Sequence, residues 1–189
     1  MNRKKPKLYI IPGWGEKITM KGYKGIVSFT KERYEVVPLN FISKKGLLFS
    51  ENIKIVDRQI NKVSSKDIIL GFSAGALIAY KMSVKFKFKL AIICSISAII
   101  ENDLSMYPKK EVDKIFTKSE INDLNKIKYG KAKSKTIFII GSNESKEVIS
   151  RSKKLYEKNN STLIYIGNQG HSFSGKYVDR VKKEIFDIS

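Results

Sequence analysis

One segment in the middle of the chain constrains the fold more than any other stretch. Residues Lys66 to Tyr80 read KDIILGFSAGALIAY, an apolar run, the turn GFSAG and a second apolar run. Gly71 and Gly75 lack a Cβ atom, so they permit the close backbone approach that a sharp strand-to-helix turn requires. The segment therefore predicts a buried strand, a tight turn that exposes the Ser73 hydroxyl, and a helix whose positive N-terminal end faces that hydroxyl.

Five other short apolar runs accompany the one before Ser73. The six predicted strands are Lys7–Ile11, Tyr34–Leu39, Asp67–Phe72, Leu90–Ile96, Thr136–Ile140 and Thr162–Ile166. They are apolar at consecutive positions, which is typical of strands buried on both faces of a parallel sheet. Helical patterns occur over Ile53–Val63, Ala76–Met82, Ile115–Ile127 (in two parts), Val148–Tyr156 and Tyr177–Ile185. This alternation predicts an α/β fold, a parallel sheet of about six strands with helices on both faces.

Length and composition favour one domain over residues 1–189. The chain is 42% hydrophobic and 29% charged, an ordinary globular mixture, and no repeat or low-complexity linker divides it. The longest interval between predicted strands runs from Ser97 to Lys135. It has room for one or two short helices but not for a cap domain, so we expect at most a small lid within residues 98–135.

The formal net charge of +19 implies attraction to polyanions such as nucleic acid, anionic lipid or an acidic carrier protein. The basic residues are almost all lysines, whereas specific nucleic-acid readout favours arginine. No helix-turn-helix, zinc-ligand or RNP-type pattern is visible. We therefore expect no specific binding to nucleic acid. A bias of the source towards Lys and Ile would explain the charge at least as well as such a partner.

The single cysteine, Cys94, excludes a disulfide framework and fits a reducing cytoplasm. The longest largely apolar run, Leu90 to Ile100, is shorter than the roughly 18 residues of a membrane span. The apolar part of the N-terminus, Leu8 to Ile11, stops at Pro12 and is too short for a signal peptide. We expect a cytoplasmic protein without a membrane span.

A strand, G-x-S-x-G and a helix in this order are the context of a nucleophile elbow, and a serine nucleophile needs a base. The one histidine, His171, lies in GNQGHSF directly after the last predicted strand. Because the carboxyl ends of parallel strands share one edge of a sheet, we predict that His171 lies near Ser73. Glu144, in GSNE after the fifth strand, is the predicted acid that orients His171. Asp103, with Glu101 beside it, is the alternative acid after the fourth strand.

An oxyanion that forms during acyl transfer needs two fixed donors. The predicted donors are the backbone N–H of Ala74, which follows Ser73, and that of Trp14 in the loop after the first strand. The Trp14 ring is expected to line the acyl site. A dinucleotide loop at Gly13-Trp14-Gly15 is disfavoured because Ile18 stands where G-x-G-x-x-G has its third glycine. We expect neither a cofactor nor a metal.

From Lys7 to about Phe186 the chain resembles the α/β-hydrolase superfamily. GFSAG resembles its nucleophile elbow, PGWG stands where the superfamily often has His-Gly-x-Gly, and GSNE where it often has Gly-x-x-Asp. A Gly-His pair follows the last strand. Pro12 and Glu144 depart from the more frequent His and Asp. The resemblance implies a catalytic triad of Ser73, Glu144 and His171 that hydrolyses an ester or thioester through an acyl-enzyme.

The Gly-Trp-Gly loop and the small size are also similar to those of biotin-pathway methyl esterases that act on pimeloyl acyl carrier protein. That similarity implies a small-molecule or carrier-bound acyl ester as substrate, and an acidic carrier would suit the positive surface. Two alternatives stay open at this point. One is a non-catalytic member of the superfamily that binds an anionic partner, and the other is an acyltransferase.

Overall fold

A computed structural model describes residues 4–96, 109–159 and 161–188. Six strands of this part of the chain form one sheet: Lys7–Ile11 (β1), Glu35–Pro38 (β2), Ile68–Phe72 (β3), Leu90–Cys94 (β4), Thr136–Gly141 (β5) and Ser161–Ile166 (β6). Their order is β2-β1-β3-β4-β5-β6, and every pairing is parallel. The predicted parallel sheet is confirmed, and its bounds differ from the predicted ones by at most two residues.

The helices of the described ranges are Lys21–Thr30 (α1), Phe49–Gln59 (α2), Ala74–Lys85 (α3), Lys109–Ile115 (α4), Lys118–Lys126 (α5), Lys146–Lys158 (α6) and Lys176–Asp187 (α7). The two-part pattern predicted over residues 115–127 folds as the end of α4 and the whole of α5. The break is set by Thr117, whose side chain caps α5 by accepting from Glu120 N at 3.3 Å. Thr117 N donates to the Glu120 carboxylate at 2.6 Å, which completes a capping box.

Helices cover both faces of the sheet, as predicted. One face packs against α1 and α7, with Leu8, Ile10, Leu70 and Ile92 on the strands. The other face packs mainly against α2, α3, α5 and α6, with Tyr9, Ile11, Ile69 and Ile93 on the strands. Successive side chains of a strand point to opposite faces, so burial of both faces explains why the strands are apolar at consecutive positions.

Two helices differ from the sequence-based expectations. Helix α1 was not among the predicted helices, although Tyr23, Ile26 and Thr30 on it are buried at helical spacing. Its two glycines and the absence of a side-chain cap weaken the local helix signal. The prediction that α2 reaches Val63 is wrong, because Ile60 leaves the helix at φ −95° and ψ 90°.

Helices α4 and α5 occupy the later part of the interval in which a small lid is expected. The loop before α2 is tied to α4 by Lys45 Nζ, which donates to the Asp113 carbonyl at 2.6 Å. Helix α2 is tied to α5, because Ser50 N donates to Asp123 Oδ2 at 2.8 Å. Residues 97–108 lie outside the described ranges, so the lid stays a prediction. Among the helices that the structure describes, none is both long and apolar enough to cross a membrane.

Candidate active site

Ser73 stands between β3 and α3 in a backbone conformation that an L-residue seldom adopts, with φ 54° and ψ −122°. The glycines on either side make this turn sterically feasible. A Cβ atom on Gly71 would lie 2.4 Å from the Gly75 carbonyl oxygen, and one on Gly75 would lie 2.2 Å from the Pro12 carbonyl oxygen. Larger residues at either position would push α3 away from the strand ends, so the G-x-S-x-G spacing follows from packing.

The structure brings His171 and Glu144 to Ser73. His171 Nε2 lies 2.9 Å from Ser73 Oγ, and His171 Nδ1 lies 2.7 Å from Glu144 Oε2. With the proton on Nδ1, the imidazole donates to the carboxylate and leaves Nε2 free to accept from the serine hydroxyl. The three side chains then form one hydrogen-bonded chain in which the imidazole can act as a base towards Ser73.

Glu144 is a buried carboxylate rather than a solvated charge at the start of α6, since its side chain is 1% exposed. Its Oε1 accepts from Ser95 Oγ and, at 3.0 Å, from the Tyr177 hydroxyl. Burial alone would raise the pKa of Glu144, but the hydrogen bonds from His171, Ser95 and Tyr177 and the charge of His171 together lower it. Glu144 is therefore ionised at neutral pH, as an acid that orients an imidazolium must be.

The alternative acid, Asp103, lies outside the described residues, as does Glu101 beside it. The hydrogen bond that orients His171 from Nδ1 goes to Glu144.

In the loop after β1, the backbone amides on either side of Trp14 both donate hydrogen bonds to side chains. Gly13 N donates to Glu16 Oε2 at 2.9 Å and to the Tyr23 hydroxyl at 3.1 Å, and Gly15 N donates to Ser43 Oγ at 2.9 Å. The Tyr23 hydroxyl also donates to Glu16 Oε2. Within the described ranges, no residue accepts from the Trp14 N–H, which is compatible with its predicted role as an oxyanion donor.

Ala74 is the first residue of α3, and the first N–H groups of a helix have no acceptor within it. The carbonyl oxygens of Ile11 and Pro12 pack against Gly75, so the loop after β1 adjoins the start of α3. The two predicted oxyanion donors, Trp14 and Ala74, therefore lie on adjoining segments at the same edge of the sheet as Ser73.

Sequence reasoning missed several residues of the site, above all Ser95 and Tyr177. Ser95 follows β4 in the same way that Ser73 follows β3, and this position was the available signal. It also missed a group of aromatic rings next to His171. The Phe72 ring lies 5.1 Å from the imidazole and 5.3 Å from Phe173, and Phe173 stacks on Tyr23 at 4.6 Å. Phe72 therefore packs against the imidazole, and Phe173 supports Phe72.

The described part of the chain contains no group of three or more His, Cys, Asp or Glu side chains that could hold a metal ion. The Ser73 hydroxyl contacts an imidazole that is in turn hydrogen-bonded to a carboxylate. Such an arrangement can activate a hydroxyl for attack on a carbonyl carbon.

Comparison with protein-family models identifies the relatives of the chain. Residues 17–176 match the model described as serine hydrolase (FSH1), a range that contains Ser73, Glu144 and His171. The chain belongs to the FSH1 serine hydrolase family. No curated protein matches it.

Several solved structures share the fold of this FSH1 family member. Mouse alpha/beta hydrolase domain-containing protein 10 is 13% identical, with a TM-score of 0.78 over 100% of this chain and 91% of that one. Est1E from Butyrivibrio proteoclasticus is 15% identical, with a TM-score of 0.73 over 98% and 88% of the two chains. An enol-lactonase from Burkholderia xenovorans LB400 is 11% identical, with a TM-score of 0.72 over 98% and 92%. These structures show the α/β-hydrolase fold, and together with the family match they confirm the predicted resemblance to the α/β-hydrolase superfamily.

Proposed function

We propose that this serine hydrolase cleaves a carboxylic ester or thioester through an acyl-enzyme formed on Ser73. The observation that carries the proposal is the hydrogen-bonded chain from Glu144 through His171 to Ser73 Oγ, with spacings of 2.7 and 2.9 Å. A serine hydroxyl is almost wholly protonated at neutral pH, so it becomes a nucleophile only when a base takes its proton. His171 is the one histidine of the chain and has the required contact.

The proposed reaction has two half-steps. Ser73 Oγ attacks the carbonyl carbon while His171 Nε2 takes the hydroxyl proton, and Glu144 stabilises the resulting imidazolium. The N–H groups of Trp14 and Ala74 bind the oxyanion. His171 then donates its proton to the departing alcohol or thiol. In the second half-step His171 activates a water molecule, which releases the acid and restores Ser73.

Apolar side chains at the loop after β1, which carries Trp14, support an acyl group as the bound part of the substrate. The Trp14 and Phe41 ring centroids lie 6.0 Å apart, and both side chains pack against the apolar cluster that includes Ala74. Val112 on α4 and Phe116, which follows it, belong to the same cluster. Ala74 directly follows Ser73, so we expect an acyl chain attached to Ser73 to lie against apolar side chains of this cluster.

The charge at this edge of the sheet supports a substrate carried by an acidic protein. Exposed lysines occupy the loops and helix starts that follow the strands, namely Lys17, Lys44, Lys45, Lys146 and Lys176. Complementary charge accelerates encounter with an anionic partner and makes the rate depend on salt. We therefore expect kcat/KM for an ester on an acidic carrier to fall as ionic strength rises. For the same acyl group as a free neutral ester, kcat/KM should change little.

The decisive test uses a fluorophosphonate probe, which labels activated serine hydroxyls. We expect the pure protein to be labelled and Ser73→Ala to be unlabelled. Labelling that persists in Ser73→Ala would remove Ser73 from the mechanism. A protein that takes no label and binds polyanions only at low salt would be a non-catalytic member of the family. Product analysis with and without added alcohol or amine acceptors separates hydrolysis from acyl transfer.

A further inference from the structure

Ser95 is held between the strand that leads to Ser73 and the strand that leads to Glu144. Ser73 N donates to the Cys94 carbonyl at 3.0 Å, and Ser95 N donates to the Ile139 carbonyl at 2.9 Å. Ser95 is completely buried and has φ 47°, a left-handed conformation that serine seldom adopts. Such a conformation persists only where the surroundings enforce it, and here it directs Oγ to Glu144 Oε1.

Tyr177 reaches the same carboxylate oxygen from the other side. It lies on α7, is completely buried, and its hydroxyl contacts Ser95 Oγ and lies 3.0 Å from Glu144 Oε1. The hydroxyl also accepts from Gly141 N, at the end of the strand that precedes Glu144. Burial raises the pKa of Tyr177, so its hydroxyl keeps its proton and remains a donor at neutral pH.

We infer that Ser95 and Tyr177 are positioning residues, whose hydroxyls fix Oε1 of Glu144 so that Oε2 stays aligned with His171 Nδ1. The inference rests on the proposed function. A glutamate has one more rotatable bond than an aspartate, so its carboxylate needs more contacts to hold one orientation. The two carboxylate oxygens have different partners: Oε2 is hydrogen-bonded to the imidazole, and Oε1 accepts from both hydroxyls.

The test removes each hydroxyl alone, in Ser95→Ala and Tyr177→Phe, and follows hydrolysis of p-nitrophenyl butyrate. We expect kcat to fall about tenfold or more in each variant, with KM within about twofold, because the acid is used mainly as the imidazolium forms. The matched controls are Ser83→Ala and Tyr80→Phe. Both remove completely buried hydroxyls that donate, at 2.7 Å, to backbone carbonyls outside the site. We expect wild-type kcat from both controls, provided that each variant is folded at the assay temperature.

Ser95→Gly separates the hydroxyl from the strained backbone. Glycine adopts φ 47° without strain, so this variant should be more stable than Ser95→Ala while its kcat is lowered equally. Wild-type kcat in Ser95→Gly would show that the hydroxyl is not needed and would overturn the assignment of Ser95.

The NMR signal of His171 provides a second readout, which would not change if Ser95 and Tyr177 only stabilised the fold. Because the chain has one histidine, its Nδ1–H proton gives an unambiguous NMR signal. We expect this signal to weaken through faster solvent exchange in Ser95→Ala and Tyr177→Phe and to persist in both controls. If Ser73→Ala retains turnover, the proposed function fails. If Ser73→Ala is inactive while Ser95→Ala and Tyr177→Phe keep wild-type kcat, the inference alone is overturned.

Discussion

His171 Nε2 lies 2.9 Å from Ser73 Oγ although the two residues are 98 positions apart in the chain. Ser73 follows β3 near the middle of the sheet, whereas His171 follows the edge strand β6. The loop of residues 167–171, here called the histidine loop, must therefore cross the end of β5 to reach Ser73. It does so at Gly141, where an added Cβ atom would lie 2.0 Å from the Gln169 carbonyl oxygen. Asn143 N donates to that same carbonyl at 2.9 Å and fixes the crossing.

Gly141→Ala should displace the histidine loop and separate His171 from Ser73. A misplacement of about 1 Å at a reacting group can lower the rate about 100-fold, so we expect a loss of that order in kcat. Gly167→Ala is the matched control, because no atom lies within 4 Å of an added Cβ atom there and its φ is ordinary. Esterase kinetics of the two variants check the prediction. Equal activities would mean that the crossing does not position His171.

Replacement of Ser73 should remove activity and reveal the backbone strain of the turn. Ser73→Ala and Ser73→Gly should both lose turnover and probe labelling, since neither has a nucleophile. Glycine tolerates φ 54°, so Ser73→Gly should be the more stable variant, by about 1 kcal/mol. Urea unfolding of both variants measures the difference. A Ser73→Gly protein less stable than Ser73→Ala would show that the turn is not strained.

The fold was largely predictable because its strands are buried on both faces and so are apolar throughout. The meeting of Ser73, Glu144 and His171 could be anticipated because each follows a strand at one edge of a parallel sheet. Ser95 also follows a strand at this edge, but the predicted fourth strand ran through it to Ile96 and hid that signal. Tyr177 carries no such signal, because only tertiary packing brings α7 to the end of β4. Helix α1 escaped prediction because its stability comes from packing against the sheet rather than from local propensity.

Glu144 should not be replaceable by aspartate. The shorter side chain cannot keep the contacts to Ser95 and Tyr177 and still reach His171 Nδ1, so Glu144→Asp should lower kcat. Glu144→Gln keeps the length but loses the charge that stabilises the imidazolium, and we expect a loss of about 10²- to 10⁴-fold. Steady-state kinetics of both variants provide the measurement. Full turnover in Glu144→Gln, together with an inactive Asp103→Asn, would transfer the acid role to Asp103.

The lowered pKa of Glu144 predicts how the stability of the protein changes with pH. The carboxylate is more acidic in the folded than in the unfolded chain, so its contribution is present above the usual glutamate pKa of about 4.3. That contribution is lost as pH falls through the lower, folded value. The stability difference between wild type and Glu144→Gln should therefore shrink on acidification from neutral pH. Urea unfolding of both proteins, from neutral pH to below the usual glutamate pKa, measures this stability difference. A difference that does not change with pH contradicts the assignment.

The loop that carries Trp14 depends on side chains that bind its neighbouring amides. Glu16 accepts from Gly13 N and Ser43 accepts from Gly15 N, both at 2.9 Å, and each contact restrains the direction of the Trp14 N–H. Loss of one oxyanion donor costs about 10²- to 10³-fold in kcat, and a loosened donor should cost less. We therefore expect Glu16→Ala and Ser43→Ala to lower kcat by about tenfold, with a parallel fall in the rate of fluorophosphonate labelling.

Ser64→Ala is the matched control for Ser43→Ala. Ser64 Oγ also accepts from a backbone amide, that of Lys66 at 3.2 Å, but it lies before β3 at the opposite edge of the sheet. Ser64→Ala should keep wild-type kcat and labelling rate. If Ser43→Ala and Glu16→Ala behave like this control, the loop does not need these two contacts. In that outcome, either the rest of the loop holds the Trp14 N–H in place or another group donates to the oxyanion, because an oxyanion donor must be preorganised to be effective.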